Sequence, residues 1–201
     1  MIKLTQVSKT IRGNTVLKDI NLEFNKGEVV LLHGHNGSGK TMLLRLLCDL
    51  IKPTSGEVEK SSALRFGVII ENPTFFQNET AFYNLKYLAS INKLISDVEI
   101  EEWLKVFNLY NKKDVKVRKF SLGMRQRLAL CQAFMENPDV ILLDEPFNGV
   151  DDDNMQAVYQ AVEKEKARGK LVVIASHVKI AADGLVTKAI KMSDGQIVEA
   201  S

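Results

Sequence analysis

Gly34-His35-Asn36-Gly37-Ser38-Gly39-Lys40-Thr41 has the spacing G-x-x-x-x-G-K-[ST], and each residue type in it answers a need of phosphate binding. Glycines let the backbone wrap an anion closely and turn successive N–H groups toward it. A helix that starts where the loop ends presents the positive end of its dipole to the same anion. Lys40 would bridge β- and γ-phosphate oxygens, and the Thr41 hydroxyl would ligate Mg²⁺. An acid-bearing segment lies downstream: in Val140-Ile141-Leu142-Leu143-Asp144-Glu145-Pro146, four apolar residues are followed by two acids. Asp144, ending a buried strand, would hold Mg²⁺ directly or through water. Glu145, where the strand leaves the sheet, would polarise a water aimed at the γ-phosphate.

These groups need elements to hold them, and hydrophobic period predicts which. Glu28–His33 reads as a strand running into the glycine loop, and Thr41–Ile51 as the leucine-rich helix leaving it. That helix stops at Lys52-Pro53-Thr54-Ser55-Gly56. Ile20–Phe24 alternates like a half-buried strand. Leu64–Ile70, Val140–Asp144 and Leu171–Ser176 read as strands, the last two covered on both faces. Thr80–Leu94, a Ser96/Glu99-capped segment through Phe107, Ser121–Met135 and Asp153–Arg168 read as helices. Ser193-Asp194-Gly195 is a hairpin turn between Thr187–Met192 and Gln196–Glu199. Strands and helices alternate at both ends, while the middle is mostly helical. The prediction is an α/β core, about 1–72 and 120–201, with a helical insert at about 73–119.

Composition sets the outer bounds. The 201 residues are 45% hydrophobic and 26% charged, enough apolar material for a core and too much for disorder. Two cysteines, Cys48 and Cys131, exclude a disulfide scaffold, and both read as buried thiols. A net charge of +2 makes no case for nucleic acid as partner. No apolar run reaches the roughly 18–20 residues of a membrane span, and Met1–Gln6 lacks the apolar core of a signal peptide. The expected location is therefore the cytoplasm.

Further segments narrow the reading. Phe120-Ser121-Leu122-Gly123-Met124-Arg125-Gln126-Arg127 resembles the signature motif of ATP-binding cassette (ABC) proteins, usually Leu-Ser-Gly-Gly-Gln; Ser121 and Gly123 match, and Leu122 and Met124 depart from it. Asn148-Gly149-Val150-Asp151 resembles the family segment that crosses a dimer interface, with Asp151 its acid. Ser176-His177 resembles the family's switch histidine, placed to donate to the γ-phosphate and orient Glu145. Asp19-Ile20-Asn21-Leu22 and Lys52–Gly56 look like family spacers, so the resemblance covers essentially the whole chain. It implies a P-loop NTPase fold, α/β with a mostly parallel core sheet, N-terminal antiparallel strands and an inserted helical subdomain. It implies an ATPase using ATP and Mg²⁺. Such a protein works as a head-to-tail dimer, here expected to be a homodimer, with each ATP sandwiched between the loop of one copy and the signature of the other. A separate permease would hold it at the inner face of the cell membrane.

Two positions depart from the family pattern. Ile11 stands where the family usually stacks an aromatic on the base, and Glu71 stands where it has a metal-touching Gln, which makes Glu71 a candidate metal ligand. The run Ile70-Glu71-Asn72-Pro73, with Ser-Leu-Gly-Met-Arg-Gln-Arg, is similar to the branch serving bacitracin and lantibiotic export and immunity. Two other readings stand beside the transporter: a nucleotide switch with weak hydrolysis, suggested by Ile11 and Glu71, and a soluble ABC ATPase outside transport. Phe75, Phe76, Phe82 and Tyr83 fit either a docking groove for the permease or packing of the insert itself. Lys112, Lys113, Lys116, Arg118 and Lys119 read as a solvated basic surface.

Overall fold

The computed structural model describes residues 1–61, 63–71, 74–177 and 184–200. Asn72 and Pro73, where the expected insert begins, lie outside the described residues. The chain runs β1 (Ile2–Ile11), β2 (Asn14–Phe24), β3 (Val29–His33), α1 (Lys40–Leu47), β4 (Ser55–Lys60) and β5 (Phe66–Ile69). It continues through α2 (Ala81–Asn92), α3 (Asp97–Val106) and α4 (Leu122–Met135). The rest is β6 (Val140–Asp144), α5 (Asp152–Ala167), β7 (Leu171–Ser176), β8 (Lys188–Ser193) and β9 (Gln196–Ala200). This is the expected α/β order, with a mixed sheet, antiparallel strands at the N-terminus, and α2 and α3 standing between β5 and α4.

The large sheet has the order β5-β6-β7-β3-β8-β9, parallel from β5 to β8, with β9 antiparallel at its edge. Its inner strands carry almost unbroken apolar runs because both faces are covered. The period of two divides each strand between two cores. Val29, Leu31, Ile141, Leu143, Val172 and Ile174 pack on the side of α4 and α5, whereas Val30, Leu32, Val140, Leu142, Val173 and Ala175 face α1 and the small sheet β2-β1-β4. The helical segment joins the first core through α4, where the Phe107 and Phe134 rings meet with centroids 5.6 Å apart.

β1 and β4 carry no clear pattern in the sequence, and the structure shows why. β1 is bulged at Gln6, which takes a φ of 50°, so the alternation shifts face between Leu4 and Val7. β4 pairs only with β1 and is mostly polar, so no hydrophobic period announces it. Gly56 closes against the bulge, where a Cβ would lie 2.2 Å from the Gln6 carbonyl oxygen. α1 ends before the predicted Ile51 because Asp49 turns left-handed, letting the Leu50 and Ile51 N–H groups donate to the Arg45 carbonyl. The Ser96/Glu99 capping box forms as the spacing predicts.

Gly67 of β5 lies so close to α4 that a Cβ there would sit 1.8 Å from the Ala133 carbonyl oxygen. Gly67→Ala is therefore expected to lower stability by about 2–3 kcal/mol, read as a shift in the urea midpoint at unchanged slope.

Candidate functional site

Four parallel strands bring polar residues to one end of the large sheet. β3 runs into the loop Gly34–Gly39, β6 ends at Asp144 and Glu145, β7 ends at Ser176 and His177, and Glu71 lies just past β5. Apolar strands covered on both faces can place charge only where they leave the sheet, and that edge is where open α/β sheets bind ligands.

The glycine loop is built for an anion. α2, α3, α4 and α5 are each capped by a side chain (Thr80, Ser96, Ser121 and Asp151), but α1 begins at Gly39 with no side-chain cap. Its first-turn N–H groups are left to whatever binds there. The Ser38 hydroxyl is buried and has no hydrogen-bond partner among the described residues. An orphaned donor beside uncapped helix N–H groups fits a phosphate. Lys40 is buried along its stem and folds back onto the loop, its Nζ donating to the carbonyls of Gly34 at 2.7 Å and His35 at 3.2 Å. Gly39 holds a φ of 106°, a left-handed conformation that favours glycine.

The acids follow in order. Thr41 donates its hydroxyl to Asp144 Oδ2 at 2.6 Å, joining α1 to the end of β6. Burial pushes the Asp144 carboxyl above its ordinary value, and the neighbouring Glu145 and Glu71 charges push the same way against the Thr41 hydrogen bond and Lys40. Glu145 turns the chain out of the sheet at a φ of 48°, its N–H donating to Ala175 O at 2.8 Å. Its carboxylate accepts the His177 backbone N–H at 3.0 Å and lies 2.9 Å from His177 Nδ1. Glu71 pairs with Arg45 of α1. All the candidate metal-site groups, Thr41, Asp144 and Glu71, offer oxygen, the donor set that suits Mg²⁺.

An open cleft of about 840 Å³ is lined by Ile11, Asn36, Gly37, Ser38, Gly39, Lys40, Thr41, Asp144 and Glu145, among others. Gly34 and His35 stand at the root of its loop. Ser121, Gly123 and Asp151 do not line the cleft. Ser121 accepts the Met124 N–H at 3.2 Å, capping α4. A Cβ on Gly123 would lie 2.3 Å from the Gly149 carbonyl oxygen, so the start of α4 sits directly on the 148–151 segment. Asp151 caps α5, and hydrogen bonds from Asn154 hold its carboxyl below the usual range. Asn111-Lys112-Lys113-Asp114 spells the N-K-x-D pattern of guanine-reading loops, but none of its residues lines the cleft, and Lys113 pairs with Glu101.

Sequence reasoning missed one wall of the cleft. The hairpin turn Asp194-Gly195 packs on the glycine loop, its Gly195 N–H donating to Ser38 O at 3.0 Å and its carbonyl accepting from Lys18 N–H at 2.8 Å. A Cβ on Gly195 would lie 2.5 Å from Val16 O. The Asp-Gly pair signals the turn, but no local signal ties residue 195 to residue 38. Nor does any local signal tie Arg45 of α1 to Glu71. Among the aromatics left open, Phe75 is buried and Phe82 packs against the core, while Phe76 and Tyr83 are exposed. Cys131 is fully buried and Cys48 half-buried. Among the described residues no helix is long and apolar enough to cross a membrane.

Known proteins share this chain's sequence and fold. A family model described as ABC transporter matches residues 17–148. The chain is 41% identical over 206 residues to the uncharacterised ABC transporter ATP-binding protein YybJ of Bacillus subtilis (strain 168), a match spanning 98% of this chain and 94% of that protein. It is 32% identical to the bacitracin transport ATP-binding protein BcrA of Bacillus licheniformis, over 99% of this chain and 68% of that one. It is 31% identical to the lantibiotic transport ATP-binding protein SrtF of Streptococcus pyogenes, over 89% of this chain and 80% of that one. The dimeric structure of MJ0796, a bacterial ABC transporter cassette, superposes with a TM-score of 0.91 at 27% identity, covering 100% of this chain and 98% of that one. The same cassette in a post-hydrolysis state bound to ADP and Pi superposes with a TM-score of 0.90, with the same identity and coverage.

Because burial raises the Asp144 carboxyl in the folded chain, its ionisation opposes folding. The stability tied to its protonated form is complete below the unfolded value and is lost as pH rises through the folded one. Asp144→Asn keeps an acceptor for Thr41 and should raise the melting temperature of the ligand-free protein in EDTA at pH 7. That gain should shrink as pH falls toward 4.

Proposed function

The chain belongs to the ABC transporter family, as its ATP-binding, ATP-hydrolysing subunit, and on that footing we propose how its own residues do this work. The observation that carries the reading is the Thr41–Asp144 hydrogen bond of 2.6 Å, which fastens the phosphate loop's helix to the acidic strand beside the paired Glu145 and His177. The loop from Gly34 through Thr41 cradles the phosphates of ATP with its N–H groups and the free Ser38 hydroxyl. Lys40 exchanges its two carbonyl partners for phosphate oxygens. Ile11 gives the base an apolar contact in place of a stack. Thr41 and Asp144, with Glu71 beside them, are the groups that would hold Mg²⁺, which when bound offsets phosphate charge. Glu145 takes the proton of the attacking water. His177, fixed on Glu145 through both its backbone and its ring, aims that carboxylate and reaches toward the γ-phosphate. An intact Glu145–His177 pair favours hydrolysis over a binding-only switch.

Ser121, Gly123 and Asp151 stand apart from the cleft of their own chain, which supports a head-to-tail homodimer that closes over ATP. A second copy supplies the Ser121 hydroxyl and the α4 N-terminus to the phosphates, with Asp151 at the junction. The transporter's permease is a separate chain. We assign its docking to the helical subdomain at about 73–119, where Phe76 and Tyr83 are exposed, and this holds the protein at the inner face of the membrane. The relatives named for bacitracin and lantibiotic transport support export or self-protection against a peptide antibiotic as the direction of work. No role in nucleic-acid binding is proposed.

Two outcomes test this reading. Lys40→Ala should abolish nucleotide-dependent ATPase activity. Glu145→Gln should slow turnover by about 10²–10⁴-fold and let ATP hold a dimer through gel filtration. A Glu145→Gln protein that stays monomeric at saturating ATP would show the sandwich to be wrong.

A further inference from the structure

Arg45 stands one helical turn after Thr41 on α1, so the two side chains share a face of that helix. Thr41 reaches Asp144 at the end of β6, and Arg45 reaches Glu71 just past the end of the neighbouring strand β5. One face of α1 therefore touches the acids at the ends of two adjacent strands. Three carboxylates, Asp144, Glu145 and Glu71, gather beside a loop meant for a polyanion, and Glu71 is near enough for its charge to act on Asp144. A family member with an uncharged residue at position 71 meets no such crowding. This chain does, and the guanidinium of Arg45 is in contact with the added charge.

Resting on the nucleotide reading above, we propose that Arg45 is a positioning residue that holds the Glu71 carboxylate against α1 and offsets its charge, so that ATP can enter beside it. Neither Arg45 nor Glu71 lines the cleft, so Arg45 acts on the nucleotide through the charge of Glu71 beside Asp144. With 28% of the Arg45 side chain and 64% of that of Glu71 exposed, solvent screens the pair and its effect is modest.

The test is binding of a fluorescent ATP analogue to the full chain in EDTA at low salt, which removes metal from the comparison. Arg45→Ala should weaken binding about two- to fivefold, Arg45→Lys should lose less, and added salt should narrow the difference. In EDTA, where Glu71 has no metal to hold, Glu71→Gln should bind more tightly than the starting protein, and Arg45→Ala placed on top of it should cost nothing further. Retained binding by that double variant also shows that the fold survives loss of Arg45. An equal loss in both backgrounds would mean that Arg45 acts on ATP by another route, and no loss in either would mean that the pair has no influence; each overturns the proposal. Failure of the starting protein to bind the analogue at all would overturn the nucleotide reading itself.

Discussion

The hydrogen bond from Thr41 to Asp144 is the interaction on which the site depends. It joins the first turn of the helix that follows the phosphate loop to the last residue of a strand buried on both faces. Move either partner and the loop no longer faces the acids. The bond is possible because β3 and β6 sit on either side of β7 in the same parallel sheet, so their ends reach the same edge. Parallel order is in turn a matter of burial: strands this apolar are stable only between two covering layers, and helices such as α4 and α5 supply one of them.

Electrostatics at that edge is arranged in opposition. Uncapped N–H groups, Lys40 and the α1 dipole favour an anion, while Asp144, Glu145 and Glu71 repel one. A site holding only the first set would bind phosphate well and lack a base. A site holding only the second would bind none. The protein keeps its acids in check by specific contacts: Thr41 on Asp144, His177 on Glu145, Arg45 on Glu71. Two of those contacts come from one face of α1 and the third from the end of β7, so each acid has its own partner.

The start of α4 is fastened elsewhere. Gly123 rests on the Gly149 carbonyl, and Asp151 opens α5 a few residues later, so the start of α4 packs directly on the segment after Glu145. Both are joined to Glu145, by the short path from Glu145 to Asp151 and by Gln126, whose Nε2 donates to the Glu145 carbonyl at 3.4 Å. Ser121, Gly123 and Asp151 thus stand apart from the cleft of their own chain, the separation that the proposed head-to-tail dimer requires.

Much of this was legible without coordinates. Contiguous motifs record chemistry that is local in the chain: the glycine loop, Asp144 and Glu145 after an apolar run, the Ser96/Glu99 cap and Ser121 before its helix are each written within a few residues. Buried strands were legible for the same reason, because being covered on both faces forces unbroken apolar runs. The bulged β1 and polar edge strand β4 escaped, since a bulge breaks the period and an edge needs no apolar face. So did the Asp194-Gly195 wall of the cleft and the Arg45–Glu71 pair. Those contacts join residues far apart in the chain, and residue types alone carry no record of distance across a fold. Order along the chain thus specified the candidate groups, and packing of the two cores specified which of them meet.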